Sequence, residues 1–399
     1  MLEEINHNCG LCVAHTLHDA YSFIKSLQHR GREAAGIAAI SKDRIDVMKW
    51  IGKVEDFDLG DFHKIFPNKY EMFMTHVRYA TRGRKDKILE DAHPHVIGGI
   101  IKHRGNHVLI LDCEMAAVHN GQVEMSYLEG IETELLKTGC DTEALLHFFK
   151  NKGENEMLKQ IPGAYTIAIA QKHNENIIVL RDRTGIKPGV LGWKDGKYGI
   201  ASEDIAFREN GGKFIENLNP GSAYYLNFDG TYRKEKVVEP EIKHCFFEWN
   251  YLGSADSVIN RISVKSLREL FGETAAQEFH PEADLITFLP RCPEDAARGY
   301  ANARGMTFAS VFYKKESERA FQGSTAMDRK KSIDKNLFLL PHVVDSENNK
   351  INLEGKTIIL MDDSIVRANN AEKARQLLYE EAKIKKAYYG YLFDICRLS

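Results

Sequence analysis

Long apolar runs are missing from this 399-residue chain, and no stretch reaches the roughly 20 residues needed to span a bilayer. The first eight residues, Met1 to Asn8, are polar and acidic and lack the apolar centre of a secretory signal. The expected compartment is therefore the cytoplasm. Cysteine is scarce: seven residues, odd in number and scattered from Cys9 to Cys396, a usage that excludes a disulfide framework. Only Cys9 and Cys12 form a CxxC, and without a second pair nearby it does not read as a structural zinc site. An excess of either charge is also absent. The net charge of −3 gives no general pull toward nucleic acid or an anionic membrane. Repeats and low-complexity stretches are lacking as well. What remains, 43% hydrophobic and 28% charged residues, is ordinary globular composition over a length that suits two or three domains.

The first part of the chain is rich in short strand-like runs: Gly36–Ile40, Phe73–Val77, Val108–Leu111, Thr166–Ala170, Ile177–Leu180 and Ala223–Leu226. Each is apolar or alternating, with polar or glycine-containing turns nearby. Helices are expected at Leu17–Leu27 and Thr142–Phe149. Serial strands with few helices indicate an α+β sandwich. After a charged, proline-containing segment at Glu239–Lys243 the pattern changes. Helical Val264–Glu278 and Pro293–Ala303 alternate with strand-like Ala283–Leu289 and Thr307–Val311, followed by a strand at Lys356–Met361 and a helix at Ala371–Ala382. That alternation predicts a parallel, doubly wound sheet. The basic stretch Lys314–Lys335 is long for a connection inside a compact domain and reads as a lid or disordered segment.

Cys9 carries the first chemical signal. Removal of residues 1–8 as a propeptide leaves Cys9 with a free α-amine, of ordinary pKa ~8, able to act as a general base for its own thiol. Taken alone, Cys9 reads first as a small buried hydrophobe, the commoner fate of a free cysteine. Further along stand His29-Arg30-Gly31, His76-Val77-Arg78-Tyr79-Ala80-Thr81, His119-Asn120-Gly121 and Asp141-Thr142-Glu143. Five short strings in this order resemble the glutamine phosphoribosylpyrophosphate amidotransferase family, also called amidophosphoribosyltransferases.

The resemblance implies an N-terminal nucleophile domain, a four-layer αββα sandwich over residues 9–240, with Cys9 as nucleophile and Asn120 and Gly121 as oxyanion donors. Glutamine would be held by Arg30, Arg78, Thr81 and Asp141. The chemistry suits those residue types. An arginine gives a carboxylate two parallel hydrogen bonds, an aspartate pairs with an α-amine, and an oxyanion donor lowers a barrier by ~3 kcal/mol. Two plainer readings stand beside this one: Arg78 as a solvated strand-end charge, and Asp141 as the N-cap of the helix from Thr142. Gly163-Ala164-Tyr165, the run Arg181 to Pro188, Ala201-Ser202-Glu203 and Pro220-Gly221 also match the family and read as architectural. Arg32 stands where the family usually has glutamine, adding a charge that bears on pairing with Glu33.

The second signal is the run Ile358 to Asn370, an apolar strand ending in Asp362-Asp363, then a short loop and a helix start. Ligands bind at the carboxyl edge of open α/β sheets, and helix N-termini favour phosphate. Paired carboxylates accept from ribose hydroxyls and help hold Mg²⁺. Cys245-Phe246-Phe247-Glu248, Ala255-Asp256-Ser257 and Arg319-Ala320-Phe321 extend the resemblance from about Cys9 to Tyr391. It implies an α/β type I phosphoribosyltransferase domain over 241–399, with a phosphoribosyl pyrophosphate site at Asp362, Asp363, Ser364, Arg367, Ala368, Asn369, Asn370, Arg291 and Arg319. Asp362 and Asp363 would be the Mg²⁺ residues.

The departures from the family cluster in this second site. Ala368-Asn369-Asn370 replaces Gly-Thr-Thr, and alanine in a positive-φ position costs ~1–2 kcal/mol. Leu289-Pro290-Arg291-Cys292 replaces Val-Pro-Asp-Ser, and a thiol is a poor Mg²⁺ ligand. Further cysteines after Cys245 that would complete an iron–sulfur cluster in some members are missing, so no cluster is expected.

The implied activity is amidophosphoribosyl transfer, which hydrolyses glutamine and passes ammonia to phosphoribosyl pyrophosphate in the first step of purine synthesis. Purine nucleotides are the expected feedback ligands and a homo-oligomer the expected assembly. Three alternatives remain open on the sequence: a glutamine-dependent amidotransferase with a different acceptor, a non-catalytic nucleotide-binding homologue, and a redox role for Cys9-x-x-Cys12.

Overall fold

The structure is a computed structural model and describes residues 9–66, 69–79, 87–128, 136–290, 292–315, 336–345, 348–362 and 369–391. The chain divides into two compact units. One runs to Glu248 and takes in Leu252–Arg261, and the other holds Trp249–Tyr251 and the residues from Ile262 onward.

The first unit is built on strands β1 (Gly10–Ala14), β2 (Ala34–Ser41), β3 (Arg44–Ile51), β4 (Met72–Arg78), β5 (His95–Arg104), β6 (His107–Gln122), β7 (Ala164–Gln171), β8 (Asn176–Arg181), β9 (Val190–Lys194), β10 (Lys197–Ala201), β11 (Lys213–Asn217), β12 (Ser222–Asn227) and β13 (Tyr232–Lys236). Its helices are α1 (Leu17–Ser26), α2 (Leu59–Ile65), α3 (Ile88–Asp91), α4 (Asp141–Gln160) and α5 (Ile205–Arg208). The strands form one 13-stranded sheet in the order β11-β9-β10-β1-β4-β2-β3-β6-β7-β8-β12-β13, with β5 added on β6.

Burial of both strand faces explains why these segments read as nearly continuous apolar runs. Leu11 and Val13 of β1 enter a cluster with Ala38, Ile40, Met74, Ala168 and Val179. Cys12 and Ala14, pointing the other way, join Ile37, Phe73 and Val77 under α1, which contributes Ala20, Phe23 and Ile24. A third cluster sets Leu145, Leu146 and Phe149 of α4 on Tyr165, Ile167, Ile169 and Leu180. Helix α1 starts where Thr16 caps it, its hydroxyl accepting from the Asp19 backbone N–H at 3.0 Å.

Two expectations need lengthening. Strand β6 runs on from the predicted Val108–Leu111 to Gln122 and carries His119, Asn120 and Gly121 within it. Helix α4 extends beyond Phe149 to Gln160, past a non-helical Gly153 whose φ of 78° hid the continuation.

In the second unit, strands Leu285–Phe288, Thr307–Phe308, Thr357–Asp362 and Lys386–Tyr391 form a four-stranded sheet whose neighbours are all parallel. Helices Val264–Glu278 and Glu294–Arg304 alternate with them as predicted. The terminal helix covers Asn369–Gln376 and widens into a π-type turn over Leu377–Glu381.

Candidate functional site

Cys9 lies directly ahead of β1 and is 2% exposed. Register places Gly10 opposite Val77, so Cys9 sits beside the end of β4, where Arg78 stands. Burial pushes the Cys9 thiol up; a hydrogen bond from the Tyr79 backbone N–H and the charges of Arg78, Lys187 and Arg30 oppose that rise. The three cations each favour the thiolate, but burial outweighs them and the thiol stays above its ordinary value.

Arg30 ends a short 3₁₀ turn, Gln28–Arg30, and is fully buried. Its Nε donates to the Cys9 carbonyl at 3.0 Å, while Nη1 and Nη2 reach Glu203 at 2.5 Å and Glu248 at 2.8 Å. Lys187 donates to the other oxygen of Glu248 at 3.1 Å. Glu203 also accepts from His29, from Ser257 Oγ and from the Ser254 backbone N–H. Burial works to raise the Glu203 carboxyl, but the charges of His29 and Arg30 and its hydrogen bonds outweigh burial and hold it well below the usual range. Glu248 is lowered in the same way by Arg30 and Lys187. The next residue, Gly31, must be glycine: a Cβ there would fall 2.5 Å from the Arg78 carbonyl carbon.

Arg78 is buried, not a solvated strand-end charge. It contacts Glu33 at 3.1 Å and Asp91 at 3.4 Å, so Glu33 pairs with this arginine.

Asn120, Gly121 and Asp141 gather at the far end of β6. Both polar atoms of the fully buried Asn120 amide lack a hydrogen-bond partner among the described residues. Such a group costs free energy, and unpaired groups cluster at functional sites. Gly121 has φ 155°, and a Cβ on it would meet the Ala164 carbonyl at 2.3 Å. Asp141 accepts from the Val123 backbone N–H at 2.8 Å. It is the first residue of α4, with Cys140 as N-cap and no side-chain capping bond, so Asp141 is not the cap. His76 of β4 ties the two groups together, its Nε2 donating to the His119 carbonyl at 3.0 Å. Thr81 lies outside the described residues.

In the second unit, Asp362 ends the strand Thr357–Asp362 at its carboxyl edge and is 9% exposed. Its oxygens are the donor type a hard cation takes, so the side chain fits Mg²⁺. Cys292 instead bonds the Tyr251 carbonyl through its thiol at 3.6 Å. Asp363, Ser364, Arg367, Ala368, Arg291 and Arg319 lie outside the described residues. Asn369 and Asn370 begin the helix after that loop.

Sequence reasoning missed the partners of Arg30. Glu203 and Lys187, the latter joined to Arg30 through Glu248, stood in strings read as architectural, Glu248 in one quoted only for the resemblance, and only their burial reveals the connection. It passed over His93 and His95 altogether, although two histidines flanking a proline were a visible signal.

The buried Cys9, the unpaired Asn120 amide and the buried Arg78 belong to a glutamine amidotransferase. The family model described as a glutamine amidotransferase domain matches residues 62–242. The amidophosphoribosyltransferase of Bacillus subtilis (strain 168) is 30% identical over 95% of this chain and 79% of its own length. That of Archaeoglobus fulgidus is 31% identical over 90% of this chain and 76% of its own. The solved glutamine phosphoribosylpyrophosphate amidotransferase of B. subtilis, complexed with ADP and GMP, superposes with a TM-score of 0.76 at 26% identity, covering 96% of this chain and 81% of that one. A structure described as the allosteric regulatory enzyme of purine biosynthesis gives the same TM-score at 27% identity, covering 96% of this chain and 80% of the other.

The chain belongs to the amidophosphoribosyltransferase family. It is an enzyme, a glutamine-dependent transferase whose family serves purine biosynthesis. Among the described residues no helix is long and apolar enough to cross a membrane.

Proposed function

We propose that the first unit is an αββα N-terminal-nucleophile glutaminase and the second a type I phosphoribosyltransferase domain, together making 5-phosphoribosylamine. The observation that carries the glutaminase half is the buried Cys9, its carbonyl accepting from Arg30 at 3.0 Å, set beside the end of β4 where Arg78 stands. Residues 1–8 are removed, and the freed α-amine takes the thiol proton. The sulfur attacks the γ-amide of glutamine, ammonia leaves, and water then releases glutamate from the γ-glutamyl thioester. Asn120 and the Gly121 N–H receive the oxyanion; an amide already stripped of water and of protein partners needs no reorganisation to do so. Arg78, Thr81 and Asp141 hold the α-carboxylate and α-amine, with Arg30 fixing Cys9 from behind.

Ammonia then displaces pyrophosphate from C1 of phosphoribosyl pyrophosphate. Asp362 and Asp363 would hold Mg²⁺, which supplies charge neutralisation on the pyrophosphate when bound. The loop from Ser364 through Arg367 and Ala368 to Asn370 would receive the 5′-phosphate, and Arg291 and Arg319 would bind the leaving pyrophosphate. Purine nucleotides are the proposed feedback ligands, and a homo-oligomer the proposed assembly.

The test is intact mass combined with a coupled assay using glutamine or ammonia with phosphoribosyl pyrophosphate. A mass beginning at Cys9, with pyrophosphate release dependent on either nitrogen donor, is expected. Glutaminase activity indifferent to phosphoribosyl pyrophosphate would assign a different acceptor. The substitutions Ala368, Asn369, Asn370 and Cys292 are the observation that favours that second reading.

A further inference from the structure

A cluster of histidines behind β4 has no part in the reaction just described. His93 precedes β5, His95 opens it, and Cys140 caps α4. One ligand atom from each of the three lies within 4.8 Å of the other two. His93 and His95 are 6% and 3% exposed, and His93 Nδ1 and His95 Nε2 have no hydrogen-bond partner among the described residues. The opposite nitrogen of each ring is held by an oxygen. His93 Nε2 meets Thr142 Oγ1 at 2.9 Å, and His95 bonds the Asp91 carbonyl. The two ring planes stand at 87° with centroids 4.7 Å apart.

We propose that His93, His95 and Cys140 form a binding site for a zinc-like divalent d-block cation, which cross-links the start of β5 to the N-terminus of α4. An imidazole that anchors one nitrogen on an oxygen and leaves the other bare is the arrangement seen at metal-ligating histidines. Two imidazoles and a thiol make a borderline-soft set that suits Zn²⁺ and is wrong for Mg²⁺. Bare buried ring nitrogens cost free energy without a partner, and a cation supplies one to both. Burial holds His93 and His95 well below the ordinary histidine range, in the neutral form that ligates. Cys140 is only partly buried, and its thiol donates to Asp141 Oδ1 at 3.6 Å. Its thiol is pushed up to about 12 by burial and by Asp141, so binding releases a proton. Lys49 opposes the cation: its ammonium acts on His95 and Cys140 both. Asp91, Asp141 and Glu143 supply compensating negative charge nearby. The proposal does not depend on the glutaminase reading, because none of the three ligands is assigned to glutamine or ammonia.

The experiment titrates the full chain, stripped of metal, with ZnCl₂ against a chromophoric chelator. One tight equivalent is expected, with a rise in the thermal midpoint. Cys140→Ser and His95→Gln should each weaken that equivalent at least about tenfold, and Cys9→Ala should leave it in place. Co²⁺ in place of Zn²⁺ should give a thiolate-to-cobalt charge-transfer band that Cys140→Ser abolishes. Lys49→Met should bind Zn²⁺ more tightly than the parent, a gain that misfolding does not produce. No tight equivalent in the parent chain overturns the proposal. So does an equivalent that survives Cys140→Ser and disappears with Cys9→Ala, or a Lys49→Met chain that binds no better.

Discussion

Arg30 Nη2 lies 2.8 Å from a carboxylate oxygen of Glu248, although 218 residues separate them in sequence and both side chains are fully buried. The same guanidinium meets Glu203 and the Cys9 carbonyl, so Cys9 rests on a buried charge network. Removing one member of such a network leaves the others buried and uncompensated. Arg30→Met is expected to cost about 3–5 kcal/mol of folding stability, read from denaturant unfolding, and to reduce glutamine use beyond what the unfolded fraction explains.

Cys9→Ala divides the two activities. Glutamine-dependent formation of phosphoribosylamine should vanish while ammonia-dependent formation persists, in a coupled assay run with each donor. Equal loss of both contradicts the assignment of Cys9.

For Asn120→Ala, the glutaminase kcat should fall by about 10²–10³. Because neither amide atom has a partner, stability should fall by less than the ~1 kcal/mol of a typical hydrogen bond. Steady-state rates and a thermal melt on the same preparation check both halves.

Acid sensitivity should begin above the carboxylate range. Burial lowers His76 to about 3, and His93 and His95 shift in the same direction. Their unfolded value is ~6.5, so the unfolded chain takes up protons first as pH falls. The stability they protect is complete above pH ~6.5 and is lost progressively toward the folded values, at ~1.4 kcal/mol per pH unit for each histidine. Below ~4.3 the depressed Glu203 and Glu248 add to the loss. His76→Gln should flatten the profile between about pH 6 and 4.5 by one proton, measured by urea unfolding of metal-free protein.

Much of this architecture can be read along the chain, because strands buried on two faces leave continuous apolar runs. Helix Val264–Glu278 matches the prediction end to end, its start marked by Ser263, whose hydroxyl accepts from the Ser266 N–H. Short or alternating strands such as β1 and β13 were passed over: Tyr232–Lys236 has four exposed polar positions and little periodic contrast. Motif order singled out Cys9, Arg30, Arg78, Asn120 and Asp141 as the glutaminase set. It did not reveal that Arg30 works through Glu203 and Glu248, since a carboxylate 173 or 218 residues distant leaves no local pattern. Nor did it suggest that Arg78 rests on Glu33 and Asp91, because those partners come from the residue ahead of β2 and from the end of α3, which only the fold brings to β4.

The first unit does not close until well after the last strand of its large sheet. Ser254 and Ser257 serve Glu203, Val258 bonds Asp204, and Asn260 reaches Arg181 at 2.8 Å. A fragment severed at residue 240 would strip Arg30 and Lys187 of Glu248 and remove two hydrogen-bond donors from Glu203. Anyone wishing to express the glutamine-handling half by itself should carry the tail through Arg261, since the polypeptide that leaves the sheet comes back to neutralise its centre.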